Sequence, residues 1–331
     1  MTRKIAICIG LDRYASYTNI PNLEGCVNDA LLIGQMLKVA GFTVYQLHNE
    51  LATKLKIIEL LKTEASSLKA GDYFVLWNSS HGYQIPDRDG DEPDGLDEAI
   101  CTYDTNYNSP LTDDELIKTI NDAINSEVAD SVNLFFASDS CHSGHLSDFF
   151  EDFNKDKSPL QTPGGTRGHA MPRPRLWFPP TADAYSLNLG EYVPEMEDST
   201  NLDDTKADKS KKAEKNCIFG KLDPDKLKKL KCQFLFLSAS ASEQTSCEAV
   251  FPLHTPKGSP ARNRIHGVMT YNFAMAVLEA WKEEKPITYQ QVIDIVNQRI
   301  KEAEFKQTAQ LEGLADLGDK PVFGHTFLPE S

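Results

Sequence analysis

The sequence has no apolar run long enough to span a membrane, no C-x-x-C pair and no internal repeat. The first absence argues against a transmembrane helix. The opening segment, MTRKIAICIGLDRY, carries basic residues but only a short apolar stretch before Asp12, too short for the core of a secretory signal. Seven cysteines, an odd number, fit reduced thiols in a cytoplasm better than a disulfide framework. Positive charge is also scarce: 34 Lys and Arg stand against 49 Asp and Glu, a net charge of −15. That balance disfavours nucleic acid and anionic membrane as partners, and it mildly attracts cationic substrates and divalent cations. What is present is an ordinary globular composition over 331 residues, enough for one large α/β domain or two smaller ones.

Taken in order, Lys4–Leu11 reads as a buried strand and Leu23–Ala40 as a helix closed by Gly41. Phe42–Leu47 is a second strand, and Thr53–Leu68 a second helix. Asp72–Gly82, DYFVLWNSSHG, is a third strand ending in a polar turn. This β-α-β-α-β order implies a parallel sheet with helices on both faces. Tyr83–Asp104 is rich in Asp, Gly and Pro and reads as a loop, with Glu98–Tyr103 as a short strand. Thr112 and Glu115 form a capping-box pattern for a helix over Thr112–Asn125. Ser131–Gly144, SVNLFFASDSCHSG, repeats the design of an apolar strand running into a small polar turn. Asp152–Lys231 then breaks the pattern with Pro, Gly, Asp and Lys, and reads as a mobile insertion. Gln233–Ala239 resumes the sheet. Two helices follow near Met269–Glu283 and Thr288–Glu304, and the tail from Lys306 adds an edge strand.

The two strand-to-turn stretches carry the chemistry. A strand fixes the backbone, and the turn after it leaves side chains and N–H groups accessible. Two such strands lying parallel and adjacent would bring His81 and Cys141 to one sheet edge. A thiol has a pKa of roughly 8.5 and needs a base, and an imidazole can take its proton and later return one to a leaving amine. The N–H groups of Gly82 and Cys141 could stabilise an oxyanion. His142 is nearer in sequence, but its side chain would point away from that of Cys141. A zinc site from Cys141, His142 and His145 fits no common ligand spacing.

With these residues in view, the sequence resembles the metacaspases, caspase-like cysteine peptidases. The resemblance rests on SSHG at Ser79–Gly82, DRDGDEPDGLDEAI at Asp87–Ile100 and DSCHSG at Asp139–Gly144, with KIAICIGLDRY and LEGCVNDA beside them. It covers most of Lys4–Phe149 and, more loosely, Gln233–Glu304. Two positions depart from the commonest pattern. Ser80 stands where glycine usually precedes the histidine, and Ser140 where a second cysteine often precedes the nucleophile.

The resemblance implies a single caspase-like α/β domain over residues 1–331, with a mostly parallel six-stranded sheet flanked by helices. Residues 1–150 would match a large catalytic part, 152–231 a linker and 232–331 a small part. It also implies a Cys141–His81 dyad and cleavage of protein or peptide substrates after Arg or Lys, by a monomer without organic cofactor. Asp139 sits two residues before the nucleophile, where its carboxylate can meet a guanidinium or ammonium. By similarity Cys26, Asp29 and Ser79 line the same pocket. The motifs carry no Arg of the kind that a pocket for Asp would need.

Calcium enters in two ways. DRDGDEPDG looks like an EF-hand loop with Glu98 at its twelfth position, but no helix precedes it. By similarity, a Ca²⁺ activator would instead sit on Asp97, Asp113, Asp114 and Asp148. The plainer reading of Asp113 and Asp114 is that they favour a helix N-terminus. The insertion supplies bonds for self-cleavage, with Lys206, Lys209, Lys211, Lys212 and Lys215 favoured over Arg167, Arg173 and Arg175. The alternatives to a metacaspase-like enzyme are a non-catalytic caspase-like module that binds partners or calcium, and a clostripain-like peptidase.

Overall fold

β1 (Lys4–Gly10), β3 (Tyr73–Ser79) and β7 (Asn133–Asp139) are each buried at every position after the first. Strands apolar on both faces belong inside a sheet covered on both sides, and these three are its centre. The computed structural model describes residues 2–86, 96–106, 108–140, 173–174, 232–241, 244–252, 263–313 and 316–325. With β2 (Thr43–His48), β9 (Gln233–Ser238) and β12 (Gln310–Gly313), the main sheet has six strands in the order β12-β9-β7-β3-β1-β2. All neighbours pair in parallel except β12, which runs antiparallel to β9 at the edge. The mostly parallel sheet and the edge strand from the tail therefore stand as the sequence implied.

Alternate residues of the central strands feed two cores. Ala6, Cys8, Val75, Trp77 and Phe135 face α1 (Cys26–Val39), α4 (Val268–Lys282) and α5 (Tyr289–Glu302). Ile5, Ile7, Phe74, Leu76 and Phe136 face α2 (Lys54–Ala65) and α3 (Asp113–Ala123). Among the described residues no helix is long and apolar enough to cross a membrane.

Three details differ from the sequence reading. The stretch read as a loop opens with a strand: β4 (Gly82–Pro86) pairs antiparallel with β5 (Leu96–Ile100), which overlaps the short strand expected at Glu98–Tyr103 but starts two residues earlier, and β5 pairs with β6 (Leu111–Thr112). Tyr83 and Ile85 alternate inward and are buried, which outweighs the polar composition around them. α1 starts at Cys26 rather than Leu23, because Asp12 accepts from the N–H groups of Cys26 at 2.8 Å and Val27 at 3.3 Å and so caps the helix there. At α3 only half of the capping box forms. Thr112 accepts from the Glu115 N–H, but the Glu115 carboxylate turns to Lys54. The full box appears at α5, between Thr288 and Gln291.

A second small sheet has no counterpart in the sequence pattern. β10 (Cys247–Pro252) pairs antiparallel with β11 (Asn263–Gly267) on one side and with β8 (Arg173–Pro174) on the other. β8 is the described piece of the insertion.

Candidate active site

Gly10, Ser79 and Asp139 are register partners at the C-terminal ends of β1, β3 and β7. A Cβ on Gly10 would stand 2.5 Å from the Cys26 carbonyl oxygen, so only glycine lets α1 start directly over the sheet end. That close approach sets Asp29, one turn into α1, against β3. Its Oδ2 accepts from Ser79 Oγ at 2.7 Å. The Gly267 N–H lies 3.0 Å from both carboxylate oxygens, and His266 Nδ1 lies 3.0 Å from Oδ1. A carboxylate facing that nitrogen needs a proton on it, so the geometry assigns the hydrogen to Nδ1.

Asp139 has a matching shell. Oδ1 accepts from Ser246 Oγ at 2.6 Å, and Oδ2 accepts from the Thr270 N–H at 3.0 Å and Thr270 Oγ1 at 2.7 Å. α4 has no side-chain cap of its own. The two carboxylates take the N–H groups of Gly267, its N-cap, and Thr270 in its first turn, so its positive end faces them. Both carboxylates are 0 % exposed. Each carboxylate thus accepts from at least three donors, as a buried charge requires.

His81 follows β3 by two residues and is buried. Its N–H donates to Tyr14 Oη at 2.9 Å, and its carbonyl accepts from the Cys101 N–H at 2.9 Å. Nε2 lies 3.0 Å from the Pro21 carbonyl oxygen. A carbonyl only accepts, so Nε2 carries the hydrogen and the neutral ring keeps its basic lone pair on Nδ1. Gly82 is buried at the start of β4.

Cys141 lies outside the described residues, as do His142, His145, Asp148 and the lysines from Lys206 to Lys215. The register still relates the two tips: Ser79 pairs with Asp139, and His81 and Cys141 each follow by two positions in sequence. Three other cysteines are poor nucleophiles. Burial pushes the thiols of Cys8 and Cys232 up to about 12, and that of Cys101 well above its usual value.

The other expected positions fall as follows. Asp29, Ser79 and Asp139 meet at the sheet end, and Cys26 is buried at the first position of α1. Asp97 on β5 and Asp114 on α3 line a polar cavity of about 350 Å³ with Lys54, Asn108 and Glu115, while Asp113 is buried beside them in sequence. Lys54 pairs with Glu115, which places one cation there already. Among the described residues no group of three His, Cys, Asp or Glu is close enough to hold a metal. The sequence reading missed Tyr14, Pro21, Ser246, His266 and Thr270. Each acts through a common group, a carbonyl, a hydroxyl or a ring nitrogen, and of the five only Tyr14 stands in a quoted segment, at the end of KIAICIGLDRY.

The fold and the family are shared with known proteins. The caspase domain family matches residues 3–316. Metacaspase-1 of Saccharomyces cerevisiae (strain ATCC 204508 / S288c) is 31% identical over 156 residues, covering 44% of this chain and 34% of that protein. Metacaspase-2 of Arabidopsis thaliana is 32% identical over 157 residues, covering 44% of this chain and 36% of that protein. The chain thus spans little more than a third of the length of these relatives. The crystal structure of protein GSU0716 from Geobacter sulfurreducens shares the fold, with a TM-score of 0.56 at 23% identity over 94% of this chain and 92% of that one.

Proposed function

The chain belongs to the caspase-domain family, with the metacaspases among its relatives, and on that premise we propose that it is a cysteine endopeptidase that cuts after Arg or Lys. One observation carries the specificity: two buried carboxylates, Asp29 in the first turn of α1 and Asp139 at the end of β7, flank the end of β3 just before the His81 tip. Hydroxyl, backbone N–H and ring donors hold that charge in place, and a guanidinium or ammonium is the substrate group whose charge complements it. Both are fully covered here, so a substrate side chain reaches them only when the groups over them give way.

In this reading His81 Nδ1 takes the proton of the Cys141 thiol, and the thiolate attacks the carbonyl carbon of the residue held by Asp29 and Asp139. The N–H groups of Gly82 and Cys141 receive the oxyanion. The imidazolium returns its proton to the leaving amine, and water then hydrolyses the thioester with His81 again as base. Pro21 and Tyr14 keep the ring and backbone of His81 in place throughout.

The test is a labelled peptide ending in an Arg fluoromethylketone, followed by intact mass. One adduct on Cys141 in the wild type, and none in Cys141→Ala, is the expected result. Cys141→Ala and His81→Ala should each lower hydrolysis of an Arg peptide by more than about a thousandfold, with the melting temperature of Cys141→Ala nearly unchanged. No adduct and no hydrolysis would overturn the reading and leave a binding module, whereas faster cutting after Asp than after Arg would overturn the specificity.

Calcium is proposed as the activator, on Asp97, Asp113, Asp114 and Asp148. Hard carboxylate oxygens suit it, although the described residues alone do not form a site. Isothermal titration checks this: binding lost in Asp113→Ala plus Asp114→Ala supports the set, and no heat with wild type removes it. Self-cleavage in the insertion is proposed as well, and β8 favours it, because a piece of that segment already lies extended along β10.

A further inference from the structure

Ser80 and Ser140, the two departures from the commonest metacaspase pattern, are joined in this fold by one buried hydrogen-bond chain. Asn78 Nδ2 lies 3.0 Å from Ser80 Oγ and 3.3 Å from Ser138 Oγ. Ser138 Oγ and Ser140 Oγ are 2.8 Å apart. Ser80 Oγ also donates to the His81 carbonyl at 2.9 Å. All four side chains are 0 % exposed. Asn78 and Ser138 are register partners on β3 and β7, so the chain crosses the sheet where the two tips begin.

Most of the protons can be assigned. Asn78 Nδ2 has two hydrogens and donates one to each side. Ser80 gives its own proton to the His81 carbonyl, so it accepts from Asn78. Ser138 accepts from Asn78, and one of the two hydroxyls donates in the bond between Ser138 and Ser140. The chain therefore runs outward from Asn78 to both tips, ending at His81 on β3 and at the residue before Cys141 on β7. Water does not reach these groups, so a hydroxyl removed at one end leaves a buried partner unsatisfied. Glycine at position 80 would have no hydroxyl, and cysteine at 140 only a weakly bonding thiol. The two serines form a matched pair, each meaningful with the other.

We propose that Ser80 and Ser140 are positioning residues: through Asn78 and Ser138 they set the placement of His81 relative to Cys141, and with it the readiness of the thiol to ionise. This rests on the dyad assignment above but goes beyond it, since the dyad needs neither serine.

The experiment compares wild type, Ser80→Ala, Ser140→Ala, the double variant and Asn78→Ala. Two readouts are taken: kcat and KM on an Arg peptide, and the pH dependence of Cys141 alkylation by iodoacetamide. Each single variant should lower kcat by about tenfold with KM nearly unchanged, and the double should fall about as far as a single rather than by the hundredfold product. The alkylation midpoint should rise by a similar amount in all four variants. Ser80→Ala and Ser140→Ala keep the test open if Asn78→Ala does not fold. Multiplicative losses in the double variant would overturn the coupling. A lower melting temperature with unchanged kcat and alkylation midpoint would mean a purely structural chain and would also overturn it. If the wild type is inactive on every peptide yet the midpoint shifts together in all variants, the peptidase reading fails and the coupling stands.

Discussion

Asp29, Ser79 and Asp139 come from the part of the chain before residue 141, whereas Ser246, His266, Gly267 and Thr270 come from the part after residue 231. The first part supplies the charge of the candidate pocket, and it does so from the ends of rigid parallel strands and the start of α1. The second part supplies most of the named hydrogen bonds that hold that charge, from Ser246 just before β10, the end of β11 and the start of α4, beside the one that Ser79 gives to Asp29. Neither part makes the pocket alone. They are joined by the parallel pairing of β7 and β9, which runs from Asn133↔Gln233 to Ser138↔Ser238. The core reinforces that join: Phe135 of β7 stacks on Tyr289 of α5 at 5.1 Å and lies 6.1 Å from Phe273 of α4. The division of labour means that charge and its placement can be removed separately.

Removing charge should have the larger effect. Asp139→Asn and Asp29→Asn each keep the shape but lose the charge-assisted pair with a basic side chain. Each should lower kcat/KM for Arg peptides by roughly a hundredfold, the scale of a few kcal/mol for such a pair. Cleavage assays on paired Arg and Asp peptides check this. Equal losses on both peptides would show that the carboxylates support the fold and not the selection.

Removing placement should cost less. Thr270→Val deletes one donor to Asp139 and leaves its backbone N–H, and Ser246→Ala deletes another. His266→Ala frees Asp29 Oδ1 from one of its donors. Each should raise KM for Arg peptides by about tenfold and leave kcat within a factor of about two, since the carboxylate persists but is less well fixed. His266→Asn keeps an N–H donor near the Nδ1 position and should recover most of the loss. If Thr270→Val matched Asp139→Asn in size, placement and charge would be inseparable, and the division between the two parts would not hold.

The same division explains what could be read in the sequence. The strands were legible because buried parallel strands are apolar at nearly every position, and β1, β3 and β7 are that plain. Asp29, Ser79, His81 and Asp139 were legible because they stand in short motifs beside apolar runs. Ser246, His266 and Thr270 were not, because a hydroxyl or ring donor is recognised only by the acceptor it meets, here from 107 to 237 positions away in sequence. Pro21 acts through its carbonyl, which every residue has. The β10–β11 hairpin was missed for a further reason. Its strands enclose a long polar connection, so the alternation that marks a hairpin is interrupted. The half-formed box at α3 shows the limit of local patterns: Glu115 has the right spacing for Thr112, but Lys54 from another helix is the stronger partner for its charge.

The smallest expected effect concerns the segment between the two parts. If the pocket is held by the sheet and by the donors around it, cutting the chain there should leave activity on an external Arg peptide nearly unchanged. β8 suggests where the cut falls. Arg173 pairs with Glu248 and Pro174 with Cys247, in antiparallel register. Pro174 thus lies opposite Cys247, the neighbour in sequence of Ser246, which donates to Asp139. The next residue in sequence is Arg175. Arg173 is a poor choice because proline follows it. The bond after Arg175 is therefore preferred over the Lys206–Lys215 run that composition alone favours. Intact mass of wild type incubated with calcium should show fragments ending at Arg175, and Cys141→Ala should stay whole. Arg175→Ala should lose this cut, whereas replacing Lys206, Lys209, Lys211, Lys212 and Lys215 together by Ala should not. Fragments ending in the lysine run would return the assignment to that stretch. If the cut enzyme lost its activity on the external peptide, the connecting segment would have to hold the two parts in a way that the β7–β9 pairing does not.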